Sequence, residues 1–90
     1  MKESDIETYL RDKTMQAGGL CLKFESPGFN GVPDRIVILN SNTVFVEVKA
    51  PGEKPRALQV KRIKQIKARG GKATFLDSKK AVDSLIEGLR

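Results

Sequence analysis

Two β-rich runs joined by a short polar turn constrain this chain more than any other feature. The runs span residues 34–39 and 43–49, and the residues between them are Asn, Ser and Asn. Such an arrangement is typical of a β-hairpin. If Asn40 and Ser41 form a two-residue turn, the numbers of paired residues sum to 81. The sequence therefore predicts not only the hairpin but also which side chains face each other across it.

This pairing places two acids and a lysine together. Glu47 and Lys49 are two residues apart on one strand, so both point to the same face. Asp34 would lie across from Glu47, with the two Cβ atoms about 5 Å apart. Acids this close repel each other unless a cation or a proton lies between them. A Glu-x-Lys triplet alone is common on solvent faces, and Asp34 alone fits a plain turn residue, but their combination predicts a metal site.

Magnesium suits this site because it binds oxygen ligands and keeps several water molecules. The carbonyl oxygen of Val48 lies between the two functional side chains of its strand and offers a third oxygen. Mn²⁺ is an alternative ion. Lys49 would orient the attacking water or offset negative charge in a transition state.

The rest of the chain predicts an α/β fold in the order αβββαβα. A helix begins at Ser4, with Glu7 completing a capping box, and ends at the glycine pair 18–19. The later elements are a strand at 20–24, a loop at 25–33, a helix from Pro55 to about Arg69, a strand at 73–76 and a last helix capped by Ser78. The length of 90 residues fits one domain, 1–90. The strand after the long helix requires a crossover, so we expect a mixed sheet flanked by helices.

Composition narrows the classes of function. Lys and Arg total 17 against 11 acidic residues, a net charge of +6, which suits a phosphate-rich partner but also simple solubility. The chain has no histidine, which excludes a His-activated nucleophile and zinc held by Cys and His. Cys21 is the only cysteine and is expected to be buried, so a reducing cytoplasm fits. No apolar run predicts a signal peptide or a membrane span, and we expect no organic cofactor.

Segment 31–35 (Gly-Val-Pro-Asp-Arg) followed by 44–50 (Val-Phe-Val-Glu-Val-Lys-Ala) resembles the PD-(D/E)xK nucleases, and within them the VRR-NUC domains. The resemblance covers nearly the whole chain and implies a restriction-endonuclease-like fold. It implies that Asp34 and Glu47 bind metal, that the Val48 carbonyl completes the protein ligands, and that Lys49 is catalytic.

The same resemblance implies a further acid from the first helix, acting through the water shell of the metal. Family spacing favours Glu3, and Glu7 is kept as well, although its capping role competes. Gln59 would lie beside the site and touch water or phosphate. An exposed position on its helix is an equal alternative for Gln59.

The segment from Lys54 to Lys72 carries eight basic residues and no acid. We interpret it as a DNA-binding face, against the alternative of a solvated helix. The candidate DNA-binding residues are Lys23, Lys54, Arg56, Lys61, Arg62 and Lys64. The aromatic residues are scattered and predict no stacking ladder, so recognition should depend on DNA shape and backbone.

The expected function is therefore Mg²⁺-dependent, structure-selective DNA endonuclease activity. Stand-alone relatives resemble junction resolvases, and two symmetric cuts in a branched or four-way (Holliday) junction call for a homodimer. The alternatives are a monomeric nickase, a non-catalytic DNA-binding module on the same fold, and an α/β interaction domain without a role in nucleic-acid binding.

Overall fold

The fold of residues 1–90, described here from a computed structural model, follows the predicted order αβββαβα. The boundaries differ from the sequence-based ones by at most two residues. The elements are α1 (Glu3–Gln16), β1 (Leu20–Lys23), β2 (Arg35–Leu39), β3 (Asn42–Val48), α2 (Ala57–Ala68), β4 (Lys72–Leu76) and α3 (Lys79–Leu89).

The turn between β2 and β3 has the predicted length of two residues. Asn40 has φ 50° and Ser41 has φ 66°, the pair of left-handed conformations that defines a type I′ hairpin turn. Pairs run from Leu39 with Asn42 to Arg35 with Val46, so the predicted sum of 81 is confirmed. Because side chains alternate along a strand, this register decides which residues face the core.

The four strands form one mixed sheet in the order β1-β2-β3-β4. Strand β2 runs antiparallel to both β1 and β3, whereas β4 runs parallel to β3. A parallel neighbour cannot be reached by a tight turn, so α2 forms the crossover connection. The predicted mixed sheet flanked by helices is confirmed.

One face of the sheet is buried beneath α1 and α3. Valines of β2 and β3 alternate toward this side and join apolar residues of both helices in a cluster of 11 buried residues. Ile6, Val37 and Val46 are completely buried there. Burial of each such side chain contributes about 1.5–3 kcal/mol, so this layer holds the hairpin in place.

The other face is covered only in part. The buried Gln59 and Ile63 of α2 lie on the side of β4. The corresponding face of β1 and β2 keeps Leu20, Leu22 and Ile38 exposed. An apolar surface therefore remains open beside the covered half. None of the helices is both long and apolar enough to traverse a bilayer.

The observed first residues of α1 and α2 differ from the predicted ones. Helix α1 is capped by Lys2, whose backbone N–H donates to the Asp5 carboxylate at 2.8 Å, so the predicted start at Ser4 is wrong. Helix α2 begins at Ala57 and not at Pro55. The Ser78 cap of α3 is confirmed, because its hydroxyl oxygen accepts the N–H of Ala81 at 3.0 Å.

The long loop before β2 is fastened to α2. The Arg62 guanidinium donates to the carbonyl oxygen of Asn30 at 2.8 Å and lies 3.7 Å from the centre of the Phe29 ring. Gly31 has φ +85°, and a Cβ there would lie 2.7 Å from Cγ of Leu58. Glycine thus allows the loop to approach the helix closely just before the chain enters β2.

We expect Gly31→Ala to destabilise the protein more than Gly28→Ala. Both glycines have positive φ, but a Cβ at Gly28 would meet no atom within 4 Å. The backbone conformation alone costs an alanine about 1–2 kcal/mol, and only Gly31→Ala adds the clash with Leu58. Thermal melting measures the difference, since about 1 kcal/mol shifts Tm by about 4–8 °C in a domain this small. Equal melting temperatures for the two variants would contradict the close approach of loop and helix.

Candidate active site

The end of β3 carries the central pair of the candidate site. Glu47 and Lys49 project from the same face, and Nζ of Lys49 lies 3.7 Å from Oε2 of Glu47. Glu47 is only 6 % exposed. The backbone N–H of Lys49 donates to the carbonyl oxygen of Leu76 at 2.8 Å, which ties this segment to β4. A carboxylate and an ammonium group are thus held together on a rigid strand.

Asp34 brings the second acid from the start of β2. Because Arg35 pairs with Val46, the next position along the ladder places Asp34 opposite Glu47. The carbonyl oxygen of Asp34 accepts the N–H of Phe24 at 2.8 Å, which ties its backbone to the segment that follows β1. Asp34 itself is exposed. The pair therefore consists of one buried and one solvent-facing carboxylate.

The two glutamates of α1 have different surroundings. The carboxylate of Glu7 accepts two hydrogen bonds from Arg35, at 2.9 and 3.1 Å, in a largely buried ion pair. Glu3 lies one turn earlier and its charge acts on Glu47. The geometry therefore favours Glu3 as the first-helix acid of this site, while Glu7 fastens α1 to β2.

The electrostatics of Glu47 reflect this crowding of acids. Burial, followed by the negative charge of Asp34, raises the pKa of Glu47 to about 7, and Glu3 adds to the effect. Lys49 acts in the opposite direction but does not compensate. Near neutral pH the site therefore binds a proton where a cation would serve the same electrostatic purpose.

The donor atoms suit a hard divalent ion. No three acidic or cysteine side chains converge closely enough to hold a metal by themselves. Asp34, Glu47 and the Val48 carbonyl would leave coordination positions for water, as Mg²⁺ prefers. A closed all-protein cage is not needed for that ion, so the residues present fit it.

The other predicted site residues differ in burial and in the contacts that they make. Gln59 is buried, and its side-chain oxygen accepts the backbone N–H of Arg56 at 2.8 Å at the start of α2. Lys23 is exposed at the end of β1, and Lys54 lies 5.9 Å from the centre of the Phe75 ring. Lys61 and Lys64 are exposed on α2. Arg62 is instead engaged in fastening the loop to α2.

Sequence reasoning missed an aromatic cluster beside the acids. Phe24 and Phe45 pack edge to face with ring centres 5.7 Å apart, and both line a cavity together with Phe29. The expectation that the aromatic residues are scattered is therefore wrong for these three. The cluster follows from the register of β1 against β2. That register could not be predicted, because a long loop separates the two strands and no local sequence signal determines their pairing.

Comparisons with known proteins identify a similar sequence and a similar fold. A scan of protein-family models gave no match. A protein of Acyrthosiphon pisum secondary endosymbiont phage 1 named "Putative nuclease p44" is 44 % identical over 79 residues, which cover 87 % of this chain and 85 % of the phage protein. A solved structure described as a VRR_NUC domain superposes with a TM-score of 0.89 at 33 % identity, covering 100 % of this chain and 99 % of the other.

This chain belongs to the VRR-NUC family. The predicted family and the restriction-endonuclease-like α/β architecture are thereby confirmed, and the chain is a nuclease. Within this VRR-NUC domain the candidate site lies at the point where β2, β3 and the start of α1 meet. The roles of its individual residues stay predictions.

The raised pKa of Glu47 makes metal-free stability depend on pH. The folded-state pKa of Glu47, near 7, lies above its ordinary value of 4.5. The contribution of Glu47 to the free energy of unfolding is therefore fully present at low pH and is lost as pH rises through 7. We expect the melting temperature without metal to fall from pH 5 to pH 8, and Glu47→Gln to flatten this dependence. The exposed acid Glu87 provides the matched control, Glu87→Gln. A Glu47→Gln protein that retains the full slope would contradict the assigned cause.

Proposed function

We propose that this nuclease is a Mg²⁺-dependent, structure-selective DNA endonuclease that hydrolyses phosphodiester bonds. The observation that carries the proposal is the position of the buried Glu47, with Asp34 opposite it and Lys49 beside it. Membership of a nuclease family supports the same conclusion. A domain that only bound DNA would gain nothing from two opposed acids, because they repel phosphate.

In this proposal Asp34, Glu47 and the Val48 carbonyl hold the ion, with Mn²⁺ as an alternative. The raised pKa of Glu47 supports this, because a divalent ion removes the cost of ionising a buried acid among other acids. The chemistry that the bound ion supplies is polarisation of the phosphate and a lower pKa for water. Overall, water adds to phosphorus, one bridging P–O bond breaks, and the leaving oxygen takes up a proton.

The side chains around the ion have separate tasks. Lys49 places its ammonium group beside the acids, where it orients the attacking water or offsets negative charge on the phosphate in the transition state. Glu3 is the first-helix acid best placed to act through water. Gln59 holds the start of α2 through Arg56, and in this proposal it also contacts water or phosphate beside the ion.

The basic helix would hold the DNA backbone. Helix α2 contains no acid, and Lys61 and Lys64 point into solvent. Lys23, Lys54 and Arg56 lie near the ends of the strands and of α2 that border the acids. A cationic surface next to a metal site attracts phosphates without reading sequence, so the substrate would be selected by its shape.

We infer further that the enzyme acts as a homodimer on branched DNA, with four-way junctions as the favoured class. The exposed Leu20, Leu22 and Ile38 form an open apolar face on β1 and β2. A second copy related by two-fold symmetry would bury this face and supply the second active site that paired cuts require. A monomer that nicks one strand is the alternative, and the products distinguish the two.

Substitution of the acids should separate catalysis from binding. Asp34→Ala and Glu47→Ala should lower the cleavage rate by about 10²–10³-fold or more, yet bind DNA as well as the unchanged protein or better. Lys49→Ala should lose most activity but still take up metal. The assay uses labelled duplex, flap, fork and four-way-junction DNA, with and without Mg²⁺.

Two exposed residues of α3 provide controls for this series, Glu87→Ala for the acids and Lys80→Ala for the lysine. Both should cleave normally. Undiminished turnover by purified Asp34→Ala or Glu47→Ala would remove the assignment. Loss of metal uptake in a titration of Lys49→Ala would contradict its separate role. Paired cuts in a junction support the dimer, whereas single nicks support the monomer.

The basic helix generates a salt-dependence prediction. Each lysine that contacts phosphate contributes about 0.9 to the slope of log affinity against log salt concentration. The double variant Lys61→Ala/Lys64→Ala should therefore bind DNA more weakly and reduce this slope by about two. The pair Lys79→Ala/Lys80→Ala on α3 changes net charge equally and should leave the slope near its original value. Equal slopes for the two double variants would exclude a specific role for α2.

A further inference from the structure

A cavity of about 370 Å³ lies between the loop before β2 and helix α2. Its walls are aromatic and aliphatic, and its rim carries polar and cationic side chains. The walls are Phe24, Phe29, Phe45 and Ile66, and the rim includes Gln65 and Arg69. This volume falls at the lower end of the range of about 300–1,000 Å³ found for small-molecule sites. The cavity therefore accommodates one flat ring system.

The cavity adjoins the proposed active site along the sheet. Phe24 donates its backbone N–H to Asp34, so Phe24, Asp34 and Glu47 occupy neighbouring positions in one row across three strands. Phe45 precedes Glu47 by two residues on the same face, about 6.8 Å along the strand. That distance equals about two nucleotide rises of 3.4 Å. A base one or two nucleotides from the cleaved phosphate is thus within reach.

The chemistry of the lining favours a base over other occupants. Aromatic side chains and a guanidinium plane stack on the flat faces of bases. No acid lines the cavity, while Arg62 and Arg69 do. A second copy of this chain docked here by two-fold symmetry would bring the same two arginines toward them. A nucleotide brings a neutral ring attached to negative phosphates, so it fits both the walls and the rim.

Internal contacts of Arg62 shape the cavity in advance. Its guanidinium donates to the carbonyl oxygen of Asn30 and to the side-chain oxygen of Gln65, at 2.8 and 3.0 Å, while it stacks on Phe29. The loop is thereby held at its distance from α2 before any ligand arrives. Because the site is already formed, ligand binding carries a smaller free-energy cost for ordering the loop and its side chains.

We propose that this cavity binds one unstacked nucleobase next to the cleaved phosphate. The inference rests on the proposed DNA endonuclease function and gives its structure selectivity a physical cause. Extracting a base from an intact duplex costs a few kcal/mol, whereas a base at a junction or mismatch is already unpaired. DNA with an unpaired base beside the cut is then the better substrate, without any reading of sequence.

The test is a double-mutant cycle between protein and DNA. Phe29→Ala removes one wall of the cavity, and abasic sites replace each of the three nucleotides on either side of the cut in fork or four-way-junction DNA. At one position, loss of the base should lower kcat/KM of the unchanged protein by roughly five- to a hundredfold. Phe29→Ala should cause a similar loss on intact DNA and little further loss on abasic DNA, because both changes remove one interaction.

Met15→Ala on α1 is the matched control, since Met15 is 62 % exposed and Phe29 is 50 % exposed, and it should cleave normally. A second measurement requires no variant: 2-aminopurine at the sensitive position should brighten when the unchanged protein binds. If the protein cleaves intact DNA normally, two results would overturn this inference and leave the proposed function standing. In one, Phe29→Ala and the abasic site lower kcat/KM independently at every position, so that their effects multiply. In the other, no abasic site lowers kcat/KM. A Phe29→Ala protein with weakened self-association and no coupling to any base would also overturn it, in favour of a subunit contact. Absence of Mg²⁺-dependent cleavage by the unchanged protein would overturn the proposed function as well.

Discussion

The electrostatic repulsion between Asp34 and Glu47 is the constraint on which the rest of this structure depends. The hairpin sets the two acids opposite each other, and the buried layer beneath the sheet prevents them from moving apart. Burial of Glu47, followed by this repulsion, raises the pKa of its carboxyl group to about 7. Lys49 offsets this repulsion only in part, so the site has a defined need for positive charge at the place where a phosphate would be cut.

The fold supports that constraint by separating tasks between the two faces of the sheet. The face beneath α1 and α3 carries the apolar core and the Glu7–Arg35 ion pair. The opposite face carries the acids, the aromatic cavity and the basic helix. Stability and chemistry therefore use alternate residues of the same strands, and β3 contributes Val46 and Val48 to one task and Glu47 to the other.

Contacts between residues close together in the sequence could be predicted, whereas contacts across long loops could not. The Asp34–Glu47 pairing was predictable because a two-residue turn joins the strands and fixes their register locally. The register of β1 was not, because residues 24–34 separate it from β2, and so the row containing Phe24 escaped notice. The choice between Glu3 and Glu7 required the tertiary position of Arg35. The hydrogen bond from Arg62 to the Asn30 carbonyl oxygen could not be predicted, because only the tertiary fold brings the long loop against α2.

Binding of one divalent ion by both Asp34 and Glu47 can be measured by anomalous diffraction from crystals of this protein soaked in Mn²⁺. If the two acids share one ion, the map should show one strong peak within coordination distance of a carboxylate oxygen of Asp34, a carboxylate oxygen of Glu47 and the carbonyl oxygen of Val48. The same peak should be lost in crystals of Glu47→Gln. A well-ordered site in which the two acids bind no shared ion, with Mn²⁺ absent or bound elsewhere, would rule out a metal centre between Asp34 and Glu47.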